Sequence, residues 1–74
     1  MDVRIDLHGK THKEAEDIVS STLNRFLYES VMICFVTGHS QKMRDIVTRQ
    51  TDALGLRSSD LRETEIVTWT WGRK

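Results

Sequence analysis

The sequence predicts an α/β fold class: an α+β two-layer sandwich of element order β-α-β-α-β-β, with a four-stranded mixed sheet and two helices on one face. Three observations carry this. Residues 2–8 alternate strictly, with Val3, Ile5 and Leu7 on one side and Asp2, Arg4, Asp6 and His8 on the other, the pattern of a half-buried strand. Residues 15–27 repeat apolar side chains at steps of three and four, the pattern of an amphipathic helix. Residues 31–36 form an unbroken apolar run, which reads as a strand covered on both faces or flanked by neighbours.

Each element has its own start and stop. Gly9 ends the first strand. Thr11 and Glu14 stand three apart ahead of the apolar stripe of Ala15, Ile18, Val19, Leu23, Phe26 and Leu27, the signature of a capping box; the helix is expected to run to about Tyr28. The second strand stops at Thr37, Gly38, His39 and Ser40. Ser40 is then the expected N-cap of a second helix that turns Met43, Ile46, Val47 and Leu54 inward and ends at Gly55. Residues 56–61 form a weaker strand and residues 66–71 a stronger one, rich in β-branched and aromatic side chains, with residues 62–65 as the turn between them. A βαβ crossover is right-handed, so the first two strands are parallel. Both helices then share one side of the sheet, and the other side is partly open.

Composition limits what such a chain can be. The 74 residues make one domain, 1–74, and a chain of this size buries only about 60% of its unfolded surface, too little for a large walled catalytic cavity. One cysteine, Cys34, excludes an internal disulfide framework and suits a reducing compartment; with no apolar run near the roughly 20 residues of a membrane span, the expected location is cytoplasmic. Eleven basic and eleven acidic side chains cancel, but residues 1–40 hold four bases against six acids and residues 41–74 seven against five. A polyanion contact would therefore be local. Oligomeric state is open between a monomer and a weak homodimer, because the last strand is read as an exposed apolar edge that a second copy would cover.

Ligands of parallel α/β units gather beyond the carboxyl ends of the strands. Two polar segments fall there: Asp6 to Gly9 after the first strand and Thr37 to Ser40 after the second. Period two sets Asp6 and His8 on the same side, so the carboxylate can accept a hydrogen bond from one ring nitrogen while the other moves a proton. The plainer alternative has His8 bonded within its turn and Asp6 solvated. Thr37, Gly38, His39 and Ser40 lead into a helix N-terminus; with Lys42 and Arg44 a turn later they can cradle a phosphate, or simply form a capped strand-to-helix turn. His8, His12, His39 and Cys34 lie on elements that do not converge, so no four-ligand zinc site is expected. Trp69 and Trp71 share a face with Val67 and suit packing, or base stacking on the open side of the sheet.

Residues 5–15, Ile-Asp-Leu-His-Gly-Lys-Thr-His-Lys-Glu-Ala, resemble the opening of the Smr (small MutS-related) domain family. A strand ending in Asp-Leu-His-Gly is followed there by a threonine and a helix beginning Glu-Ala. Residues 36–40, then Met43 to Val47, are similar to the family's second block, a strand, a glycine-bearing turn and a helix with an early basic residue; Ser40 stands where the pattern has a second glycine. The resemblance covers essentially the whole chain. It implies a fold like the C-terminal domain of translation initiation factor three, and nucleic-acid binding, often with endonuclease activity on RNA or DNA. Asp6 and His8 match the motif positions tied to cleavage, and Gly9, Thr37, Gly38 and His39 match positions along the same substrate edge.

The expected function is thus phosphodiester cleavage of RNA or DNA. His8 is the general acid or base and Asp6 orients it. Gly9, Lys10, Thr37, Gly38, His39, Ser40, Lys42 and Arg44 contact the nucleic acid. No cofactor is expected with RNA, whose 2′-hydroxyl is a built-in nucleophile, whereas DNA would call for a divalent cation such as Mg at Asp6. The alternative is a non-catalytic binding module that uses the same edge, extended by Arg57 and Arg62.

Overall fold

Alternation along the first segment builds β1 (Asp2–Asp6), and the capping box starts α1 (His12–Arg25). The apolar run forms β2 (Met32–Val36); Ser40 caps α2 (Gln41–Ala53); and β3 (Arg57–Arg62) and β4 (Glu65–Trp69) make a closing hairpin. The computed structural model describes residues 2–70. The result is a small α+β domain with a four-stranded mixed sheet and two helices, in strand order β1-β2-β4-β3. β1 runs parallel to β2, while β4 is antiparallel to both β2 and β3. Among the described residues no helix is long and apolar enough to cross a membrane.

The core lies between the helices and one face of the sheet. Ile33, Phe35 and Ile66 supply the sheet side; Ala15, Val19, Leu23, Met43, Ile46 and Val47 supply the helix side, and Leu7, Val31 and Leu56 close the ends. Each fully buried large apolar side chain contributes about 1.5–3 kcal/mol relative to exposure. The hydroxyls of Thr51 and Thr68 meet inside this layer at 3.2 Å and satisfy each other. On the opposite sheet face, Arg4 reaches across Cys34 to the carboxylate of Glu65 at 2.8 Å, and Arg62 approaches the same carboxylate at 3.4 Å.

Three expectations change. α1 stops at Arg25, because the next bond is a tighter turn in which Glu29 N–H closes on the Phe26 carbonyl at 3.0 Å; Tyr28, 89% exposed, falls outside the apolar stripe. β1 stops at Asp6, since residues 7–10 fold into a turn. The last strand is not an edge: β4 sits between β2 and β3, with hydrogen-bonded partners on both sides, so it has no open ladder for a second copy to cover. Trp71 lies outside the described residues.

Candidate functional site

The first turn follows from Leu7. Its side chain is fully buried and its N–H bonds the carbonyl of Val36 at 2.8 Å, so the chain stays fastened to β2 for one residue beyond β1. Lys10 N–H then closes on the Leu7 carbonyl at 3.1 Å, and Gly9 sits at φ +82°, which the third position of a type II turn demands. Asp6 and His8 both remain exposed. The Asp6 carboxylate accepts the main-chain N–H of His8 at 2.8 Å. This corrects the expected contact between Asp6 and the imidazole: Asp6 fixes the turn that carries His8, and the ring itself is left to other partners.

The second turn is held from below by the tip of the β3–β4 hairpin. The N–H groups of Thr37 and Gly38 both donate to the Thr64 carbonyl, at 2.7 and 3.2 Å, and Thr37 is buried with its hydroxyl 3.0 Å from the Gly38 carbonyl and 3.2 Å from that of Thr64. These amides therefore do not face a ligand, because the hairpin has taken them. Arg44 is likewise engaged: its guanidinium bonds the Glu63 carbonyl at 2.7 Å and pairs with Asp60 at 2.5 Å, tying α2 to the hairpin. Ser40 caps α2 by accepting from Met43 N–H at 3.1 Å. The amides of Gln41 and Lys42, the first two of the helix, have no intrahelical acceptor by construction, and the first turn of α2 carries no acidic side chain.

The two turns meet. A Cβ added to Gly38, at φ +67°, would come 3.3 Å from Cδ2 of His8, so the imidazole lies directly against the glycine. Next to it His39 is exposed and faces the Glu63 carboxylate, with 3.6 Å between Nε2 and Oε2. His39, Gln41, Arg44, Asp60, Arg62 and Glu63 line a cleft of about 440 Å³ at this rim.

The sequence-named residues thus divide. Asp6, His8, Gly9, Lys10, Gly38, His39 and Ser40 belong to one rim at the carboxyl ends of β1 and β2, whereas Lys42 lines a separate groove with Glu16 of α1 and Asp45, Ile46 and Arg49 of α2. Thr37 and Arg44 brace that rim from within. Arg62 stands at the same end, opposite Glu65, whereas Arg57 pairs with Trp69 at the far end of the sheet and cannot extend the contact. The hairpin tip, Glu63 and Thr64, is the part sequence reasoning missed. Its polar turn composition was visible, but nothing local says that it folds beneath residue 37. Cys34, buried at the sheet, has its thiol pushed up by desolvation first and by the charge of Glu65 second. No family model, curated protein or solved structure matches the chain.

Proposed function

We propose that the chain is an Smr-like nucleic-acid-binding domain, with the layer arrangement of the translation initiation factor three C-terminal domain, that cleaves phosphodiester bonds in the cytoplasm. His8 is the proton-transfer group. Asp6 orients it through the main chain. The single observation supporting this is the packing of the His8 ring on Gly38, which sets an exposed imidazole against the turn that leads into α2. A phosphate seated there would meet the positive end of the helix and Lys10 while His8 exchanges a proton with an ester oxygen.

Asp6 is the one carboxylate of the two turns, and its Oδ1 is committed to His8 N–H. With a DNA substrate, Asp6 and the substrate phosphate would be the groups to hold a divalent ion such as Mg; no step is routed through one. A second reading, binding without cleavage, draws support from the same commitment, since Asp6 does not touch the ring. Labelled single- and double-stranded RNA and DNA, with and without chelator, separate the two. Cleavage by the wild type that falls at least about a hundredfold in a folded His8→Ala variant is the expected result. Intact strands with salt-sensitive binding support the module instead. Undiminished turnover in folded His8→Ala ends the catalytic reading.

A further inference from the structure

The two outer strands of the sheet differ in what they leave open. In the order β1-β2-β4-β3, β1 and β3 each lack a neighbouring strand on one side. β3 is poorly suited to a further strand: its ladder shifts between Asp60 and Arg62, and Arg44 of α2 holds Asp60. β1 has neither feature. Its five residues pair with β2 one to one without a break. Leu7 N–H points to the Val36 carbonyl of β2, and the side on which a strand residue presents its N–H and carbonyl alternates along the chain. Val3 and Ile5 therefore bond β2, while Asp2, Arg4 and Asp6 turn their main-chain groups outward. Among the described residues nothing pairs the outward N–H and carbonyl of Arg4. The side chains show the same gap. Val3 and Ile5 face the core but stay half-buried, whereas Ile33 and Phe35, opposite them on β2, are fully buried. β2 has a strand on each side and β1 has one.

We propose that β1 is a docking edge for an extended segment of another protein, which joins the sheet as a fifth strand. The charges of β1 state what that segment must carry. Asp2, Arg4 and Asp6 alternate in sign along its open face; Arg4 reaches Glu65 at 2.8 Å yet keeps a side chain 65% exposed, and Asp6 has one oxygen on His8 N–H. The fitting segment sets a cation opposite Asp2, an acid opposite Arg4 and a cation opposite Asp6, with aliphatic side chains between them beside Val3 and Ile5. Main-chain hydrogen bonds to the outward groups of β1 hold it, and the alternate side chains select it. A second copy of β1 does not meet this pattern, because the antiparallel register that pairs all five residues opposes Arg4 to Arg4 and Asp2 to Asp6. Strand addition needs no chemistry at the rim, so it stands or falls apart from the cleavage reading.

The test titrates capped peptides into the whole chain and follows its main-chain amides by NMR. One peptide carries Lys-Val-Glu-Val-Lys between flanking threonines, a palindrome that matches β1 in either direction. A second has Glu-Val-Lys-Val-Glu in the same frame. A third keeps the first sequence but is N-methylated at its three central residues, which removes ladder donors and leaves the charges. The expected result is saturable binding of the first peptide, with shifts centred on the amides of Asp2–Asp6 and none along β3. The second and third bind at least about tenfold more weakly. Asp2 is exposed, so Asp2→Lys keeps the fold; it should weaken the first peptide, and replacing one terminal Lys of that peptide by Glu should restore it. Which end restores binding gives the direction of the added strand. Equal binding of the N-methylated peptide, shifts confined to β3 or the turns, or no binding of the first peptide overturns the inference. So does self-association of the chain through β1, which would make a second copy the occupant.

Discussion

At the scale of single residues, two glycines look alike in the sequence and differ in the structure. Gly9 and Gly38 both adopt positive φ, but a methyl group at Gly9 meets open space, whereas at Gly38 it meets the His8 ring. Alanine at either position should therefore lose about 1–2 kcal/mol to left-handed backbone strain. Only Gly38→Ala should in addition displace His8. Urea unfolding is expected to show similar losses for the two, while strand cleavage falls much further in Gly38→Ala; equal activity in both would mean that the ring does not need its seat. Cys34 is a second residue-scale case. Burial raises its thiol and Arg4 and Glu65 close over it, so labelling by a soluble thiol reagent at neutral pH should be slow in buffer and fast in urea. Equal rates would put the thiol at the surface.

At the scale of elements, the two helix starts are built differently. α1 has the reciprocal cap in which Thr11 accepts from Glu14 N–H at 3.1 Å and Glu14 accepts from Thr11 N–H at 2.9 Å. Those hydrogen bonds, the main-chain one first, hold the Glu14 carboxyl below its ordinary value of 4.5. The folded state thus binds fewer protons here than the unfolded state in the acid range. The contribution is complete above the unfolded value and is lost as pH falls through the folded one. Thermal midpoints measured from pH 6 to 3 should drop more steeply in wild type than in Glu14→Gln; parallel curves would show that the carboxylate is not linked to folding. α2 has no acidic residue in its first turn, which is why its start and not that of α1 is suited to an anion. The edge strands are a further element-scale matter. A symmetric antiparallel copy of β1 centred on Arg4 would set Arg4 against Arg4 and Asp2 against Asp6, like charges directly opposed. Sedimentation should accordingly report a single copy, and a dimer that dissociates on mutation of β1 would refute this.

At the scale of the whole molecule, stability is scarce. Typical per-residue values give a chain of 74 residues about 4–11 kcal/mol in all. Phe35, fully buried on the central strand β2, would forfeit about 3–5 kcal/mol on truncation to alanine. Phe35→Ala should therefore be largely unfolded or sharply destabilised by urea titration, and a wild-type midpoint would mean the core is not where the burial puts it. The same arithmetic explains why the rim can carry function. His8, His39 and Glu63 are exposed and make no part of the apolar layer, so changes there need not endanger the fold.

The order of elements, the caps at Thr11 and Ser40, the glycine stops at Gly9 and Gly55 and the inward stripes were all legible in the chain, because each depends on residues within one or two turns of one another. So was the pairing of the two polar turns, since parallel strands joined by one helix bring their carboxyl ends to the same edge. Tertiary structure alone decided that β4 enters between β2 and β3, that Thr64 takes the amides of Thr37 and Gly38, that Asp60 claims Arg44, and that Glu63 faces His39. Apart from the β3–β4 hairpin itself, each of these contacts joins groups 16 or more positions apart. Local spacing carries no record of them, because strand order and hairpin placement are chosen by how the whole apolar layer closes.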